Sequence, residues 1–158
     1  MSKTTIDIEV QAPFKRAITQ KWLRQVVTAV LDSERTGDVE LSLVITDDAM
    51  VHGLNRAYRG IDTTTDVLSF ALGEGLDKFA FVVPPGKPRP LGEVIISYPQ
   101  AKRQAREQGY PVKREMALLV IHGVLHLLGY DHESDSDAEV MRAKEAAQME
   151  RLAAEGIL

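Results

Sequence analysis

Residues 112–132 read VKREMALLVIHGVLHLLGYDH, and this stretch decides the architecture. Met116, Leu118, Leu119, Val120, Val124, Leu125, Leu127 and Leu128 make it apolar on almost every side. A helix of that kind is the buried centre of a domain rather than a surface element. The pattern predicts a helix over 112–128, ended by Gly129 in the left-handed conformation that glycine tolerates best. His122 and His126 are four residues apart on it, so they share one face with Cβ atoms about 5–6 Å apart. The reversal after Gly129 lets Tyr130-Asp131-His132 fold back, which makes His132 a candidate third partner. With no cysteine in the chain, histidines and carboxylates are the only plausible metal ligands. His122, His126 and His132 on one ion leave a fourth position open, the arrangement of a catalytic zinc. One Zn2+ per chain is expected, with nickel, copper or iron also compatible with imidazole donors. The plainer reading is that these are core and cap histidines. Asp131 either orients a ligand histidine from behind or is an ordinary turn residue. His52 reads as a surface or packing histidine.

Outward from this helix, TIDIEV (5–10) alternates with Ile6, Ile8 and Val10 on one face, as a half-buried strand does. An amphipathic helix is expected from Phe14 to Leu31, broken by Gly37. A second strand follows at 39–45, then a helix capped by Asp47 or Asp48 and running to about Arg56. Strands are expected at 67–72 and 92–97. Residues 73–90 read as a surface loop with a short strand at 79–83. Helices at 99–108, 112–128 and about 135–155 complete the chain. The order implies an α/β fold: a four-stranded mixed sheet packed with about five helices, the buried central one carrying the histidine pair as a metal motif. At 158 residues the chain is expected to form one domain, 1–158. No signal peptide is read at the N-terminus, and no apolar run approaches the about 18 residues of a membrane span. A cytoplasmic protein without a membrane partner is expected.

The net charge of −4 argues at first against a nucleic-acid partner. The distribution of that charge weakens the objection. Residues 131–158 carry eight acids against three bases, −5, whereas residues 1–130 carry sixteen bases against fifteen acids, +1. The acidity belongs to the last helix.

The zinc-protease pattern His-Glu-x-x-His-x-x-Gly-x-x-His uses its glutamate to accept the proton of the attacking water. Here His122, His126, Gly129 and His132 match, and Gly123 stands where the base belongs. Peptide hydrolysis is thereby demoted. At its fixed positions HGVLHLLGYDH (122–132) resembles the signature of the bacterial YbeY-type endoribonucleases. LNRAYRGIDTTTDVLSF (54–70) and LGEVIIS (91–97) are similar to that family's other two blocks, in the same order over about residues 40–135. Glu93 stands where the third block usually has aspartate.

The resemblance implies a metal-dependent RNase specific for single strands. It implies a role in ribosomal RNA processing, notably at the 3′ end of small-subunit 16S rRNA, and in ribosome quality control. It implies RNA and the small ribosomal subunit as partners, with ribosomal proteins and the GTPase Era beside them. It also implies His122, His126 and His132 as ligands and Arg59 as a functional arginine of the cleft. The residues alone would pair Arg59 with Asp62 or Asp66. Arg56, Lys102, Arg103 and Arg106 are weaker candidates for tracking the RNA backbone, as are Lys113 and Arg114. Tyr58 and Tyr130 could stack on bases, but core packing is the expectation for both. Two rivals remain: a hydrolase of another class, above all a protease drawing its base from Asp131 or Glu93, and a ribosome-assembly factor with a structural zinc.

Overall fold

The structure, a computed structural model, describes residues 3–72 and 85–158. Strand β1 (Thr5–Val10) shows strict alternation, with Ile6, Ile8 and Val10 buried between exposed polar neighbours. A 3-10 turn at Ala12–Phe14 precedes α1 (Gln20–Glu34). The helix thus begins later than the apolar period from Phe14 suggests. Thr19 decides the start: its hydroxyl accepts the Trp22 N–H at 3.1 Å, satisfying one of the free donors at a helix N-terminus. Ile18 is buried without being helical. The helix also ends later than expected, at Glu34, with Arg35 rather than Gly37 in the left-handed conformation that closes it.

Strand β2 (Val39–Thr46) leads into α2 (Asp48–Arg59), whose Asp47 cap accepts the Met50 N–H at 2.9 Å. This helix runs to Arg59, about one turn beyond the expected end at Arg56, and Gly60 terminates it. Strand β3 (Val67–Ala71) follows. The short strand expected at 79–83 lies outside the described residues. Strand β4 (Arg89–Ser97) begins earlier than expected because Arg89 and Pro90 pair with Val39 and Glu40 across a bulge in the ladder. Helices α3 (Tyr98–Gln108), α4 (Val112–Leu127) and α5 (Asp135–Ala154) end the chain.

The strands form one mixed four-stranded sheet in the order β1-β2-β4-β3. β1, β2 and β4 are parallel, and β3 runs antiparallel to β4 along an edge. Parallel neighbours need long crossovers, which α1 supplies between β1 and β2. The main core lies on one face, where Ile8, Leu43, Val94 and Ile96 meet Val26, Val27, Val120 and Val124 of α1 and α4. α4 packs against β3, β4, α1, α3 and α5, so its apolar sides are consumed as the sequence predicts. A smaller core on the opposite face joins Val51 of α2 to Leu68 and Ile95.

The amphipathic character of α5 is weak, and polar contacts fix its position. Glu34 of α1 accepts a hydrogen bond from Tyr130 Oη at 2.5 Å and another from Lys144 Nζ of α5 at 3.0 Å. Burial works to raise the Glu34 carboxyl, but the bonds from Tyr130 and Lys144 and the ammonium charge outweigh it and hold it below its ordinary value. A carboxyl depressed in the folded protein stabilises it above the unfolded value, 4.5, and that contribution is lost as pH falls through the lower folded value. Urea unfolding across acid pH is therefore expected to show stability declining from about pH 5 downwards. The variant Glu34→Gln should lose part of that decline. An identical acid limb in the variant would remove Glu34 from this role.

Candidate functional site

The end of α2, the edge strand β3 and the second half of α4 enclose a cleft of about 340 Å³. His122, His126 and His132 line it together with Arg59, Asn55 and Ser69. The histidines arrive as their spacing requires. His122 and His126 stand on one face of α4, and the chain then reverses at Gly129, whose φ is +102°. Two reverse bonds close the helix there, Gly129 N–H to His126 O at 3.0 Å and Tyr130 N–H to Leu125 O at 3.1 Å. This fold-back sets the His132 ring 5.8 Å, centre to centre, from that of His122.

The fit of the donor set to a metal ion follows from that geometry. Two imidazoles bound tetrahedrally at roughly 2.0–2.1 Å place their ring centres about 5 Å apart. The observed 5.8 Å is slightly wider. Among the described residues no three His, Asp or Glu side chains are gathered tightly enough to hold an ion as they stand. The His132 side chain is 62% exposed and follows the helix cap. In donor chemistry the three imidazoles suit a divalent transition metal.

The residue behind the first histidine is one the sequence did not single out. Glu145 of α5 places Oε1 2.8 Å from His122 Nδ1. Nothing local marks it, because it lies on another helix, 23 residues away. Asp131, the sequence's candidate for such a role, does something different. Its carboxylate accepts the backbone N–H of His132 at 2.6 Å, while the His132 ring nitrogen is 3.9 Å away. That is the geometry of a turn.

Arg59, the last residue of α2, donates from Nη2 to the Ser69 carbonyl at 2.6 Å, and its guanidinium lies 5.3 Å from the Phe70 ring centre. Asp62 instead pairs with His52 at 2.8 Å, and Asp66 bonds the Val67 N–H and Gln104. Tyr58 was expected in the core but is 70% exposed, its ring edge-on to Phe70 at 5.6 Å. Apart from that edge contact with β3 the ring is largely open to solvent. Tyr130 is partly buried against the main core, as expected.

The basic candidates divide. Arg103 is bound to Asp48 at 2.8 Å and to Gln100. Burial tends to raise the Asp48 carboxyl, yet hydrogen bonds from Ser97 and Arg103 hold it below its ordinary value. Lys113 lies over the Trp22 ring and Arg114 over Tyr110. Arg56, Lys102 and Arg106 are exposed and stand outside the cleft lining.

No carboxylate lines the cleft among the described residues. Glu93, the other candidate for a replacement base, faces the opposite side of the sheet, in a larger groove of about 650 Å³ shared with Asp7, Glu40 and Phe70. Among the described residues that groove contains no histidine. The smaller cleft is the chemically equipped one.

Comparison with known proteins places the whole chain. The family model described as endoribonuclease YbeY matches residues 5–153. A relative from Roseiflexus sp. (strain RS-1), named endoribonuclease YbeY, is 49% identical over 91% of this chain and 90% of its own. One of the same name from Chloroflexus aggregans is 43% identical over 94% of this chain and 97% of its own. The solution structure of TM1509 from Thermotoga maritima is similar with a TM-score of 0.64 and 27% identity, covering 96% of this chain and 91% of that one. The chain belongs to the endoribonuclease YbeY family.

The place where a protease would carry glutamate has a structural explanation. A Cβ on Gly123 would stand 2.5 Å from Val94 Cγ1, 3.1 Å from Val94 Cγ2 and 3.3 Å from Ser69 Oγ. Replacing an unhindered helical glycine by alanine stabilises a protein by about 1 kcal/mol. Here the added methyl meets a stiff β-branched side chain on a central strand, and overpacking of that kind costs about 1–3 kcal/mol. Gly123→Ala is therefore expected to lower the free energy of unfolding in denaturant titrations. A variant more stable than its parent would show that α4 and β4 can part freely.

Proposed function

We propose that this protein is a metal-dependent endoribonuclease that cuts single-stranded RNA during maturation of ribosomal RNA. The observation that carries the reading is the composition of the cleft: three imidazoles and one arginine with no carboxylate among the described lining residues. Such a lining suits an anionic substrate. Cleavage of a phosphodiester builds negative charge on non-bridging oxygens, and preorganised cations aimed at that charge are the main catalytic resource. Arg59 is held for this purpose, with one amino group on the Ser69 carbonyl and its plane near Phe70, leaving its other donors to clamp a phosphate. His122, His126 and His132 would hold the ion. When bound, it supplies Lewis acidity beside the phosphate. The 2′-hydroxyl of RNA is an internal nucleophile within reach of the same phosphate. The resemblance of the three motif blocks supports the narrower setting, processing at the 3′ end of small-subunit rRNA and quality control on the ribosome.

The protease alternative needs a base and an extended substrate on a strand edge. Glu93 is on the wrong face, Asp131 is engaged in a turn, and the Ser69 carbonyl on the β3 edge is occupied by Arg59. These contacts favour RNA.

Two measurements test the reading. Metal content and cleavage of single-stranded RNA are compared for the parent, His122→Ala and Arg59→Ala. His122→Ala is expected to lose both, and Arg59→Ala to keep its metal and lose activity by about 10²-fold or more. Equal cleavage by Arg59→Ala and the parent would sink the assignment. A 2′,3′-cyclic phosphate end would identify the 2′-hydroxyl as nucleophile, and a 5′-phosphate would identify water. In a second test, the exposed face of Tyr58 beside Arg59 offers a base-stacking platform, worth about 1–3 kcal/mol per base. Tyr58→Ala should raise the KM for single-stranded RNA roughly tenfold with little change in kcat. An unchanged KM would exclude the platform.

A further inference from the structure

Glu145 is on the acidic last helix and is not among the residues that line the histidine cleft. Its Oε1 is 2.8 Å from His122 Nδ1. Both side chains are partly shielded, at 21% and 33% exposure. An ionised carboxylate only accepts hydrogen bonds, so Nδ1 must carry the proton that joins them. In a neutral imidazole the other nitrogen, Nε2, then holds the lone pair, and His122 lines the cleft.

The neighbouring residue explains why Glu145 stays in place. Lys144 bonds Glu34 at 3.0 Å and lies 5.3 Å from the Tyr130 ring centre, and Tyr130 bonds the same glutamate. Consecutive residues of α5 thus hold α1, the turn leading to His132, and the His122 ring. A partly exposed ion pair contributes little to stability.

We propose that Glu145 is the positioning residue of the metal site: its carboxylate fixes His122 with Nδ1 protonated and presents Nε2 to a divalent cation in the cleft. The inference rests on the proposed function only in taking the three histidines as ligands. It assigns to α5 a part in metal affinity that none of the family's motif blocks in this chain contains.

The test uses the full chain with Zn2+ as probe and three readouts. Ring nitrogen NMR of the metal-free parent is expected to show His122 with its proton on Nδ1. Competition with a chromophoric chelator is expected to show zinc affinity reduced about 10–100-fold in Glu145→Ala, and less in Glu145→Gln, which keeps an acceptor oxygen. Cleavage of single-stranded RNA by Glu145→Ala should return toward the parent rate as zinc is raised, so the zinc requirement shifts and the maximal rate does not. Equal zinc affinity in parent and Glu145→Ala overturns the proposal. So does a His122 ring protonated on Nε2 in the parent, or a parent that binds no zinc. Should Glu145→Ala fail to fold, the parent tautomer and Glu145→Gln decide the matter. A parent whose zinc affinity depends on Glu145 but which cuts no RNA would support this inference and overturn the endoribonuclease reading alone.

Discussion

The contact between α4 and β4 at Gly123 sets the rest of the molecule. A Cβ at that position would stand 2.5 Å from Val94 Cγ1, so the helix lies closer to the sheet than a side chain there allows without a shift. This proximity keeps Val120 and Val124 in the main core while His122 and His126 turn toward the edge strand β3. The cleft exists because the helix is tight against the sheet centre and its histidines face the sheet margin. A glutamate at position 123 would meet the Val94 side chain before it could act as a base. Fold and chemistry are tied at one residue: the packing that builds the site also excludes the protease mechanism from it.

α5 supplies a second constraint of a different kind. It buries few apolar residues, Met141 and Leu152 among them, and depends on polar contacts for its register. Lys144 joins α1 and the turn after α4 through Glu34 and Tyr130, and Glu145 meets His122. Displacement of this helix would therefore reach the His122 ring as well as the core that Met141 and Leu152 join. Polar pairing suits that task. Apolar contacts specify area, while a hydrogen-bonded carboxylate specifies the orientation of a ring.

Much of this was legible in the sequence, for reasons that particular residues illustrate. Ile6, Ile8 and Val10 alternate because one face of β1 is solvated, and α4 is apolar throughout because it is enclosed. The histidine spacing survives as geometry because i, i+4 neighbours on a helix must share a face. What failed has a common cause. Phe14 and Ile18 continue the helical period of α1, yet the Thr19 cap places them outside it. Tyr58 has the side chain of a core residue, but only the edge of its ring meets Phe70 of β3 and the rest is exposed, which only the tertiary arrangement reveals. Glu145 carries no local sign at all, since its partner is on another helix. Periodicity reports which face of an element is buried and is silent about which element will cover it.

The net charge of −4, which argued against nucleic acid, loses its force once the charges are placed. Asp7, Glu40 and Glu93 gather in the groove on the far side of the sheet from α4. On the last helix Glu145 is bonded to His122, and Glu155 just beyond it to Arg151. Screening over about 8–10 Å at ordinary ionic strength removes most of the influence of solvated acids at that distance. The cleft responds mainly to its own lining, which among the described residues includes Arg59 and three imidazoles and no carboxylate, Glu145 meeting His122 from outside that lining. An acidic protein can therefore present a local site for a polyanion, and its acidity elsewhere disfavours indiscriminate binding along a duplex.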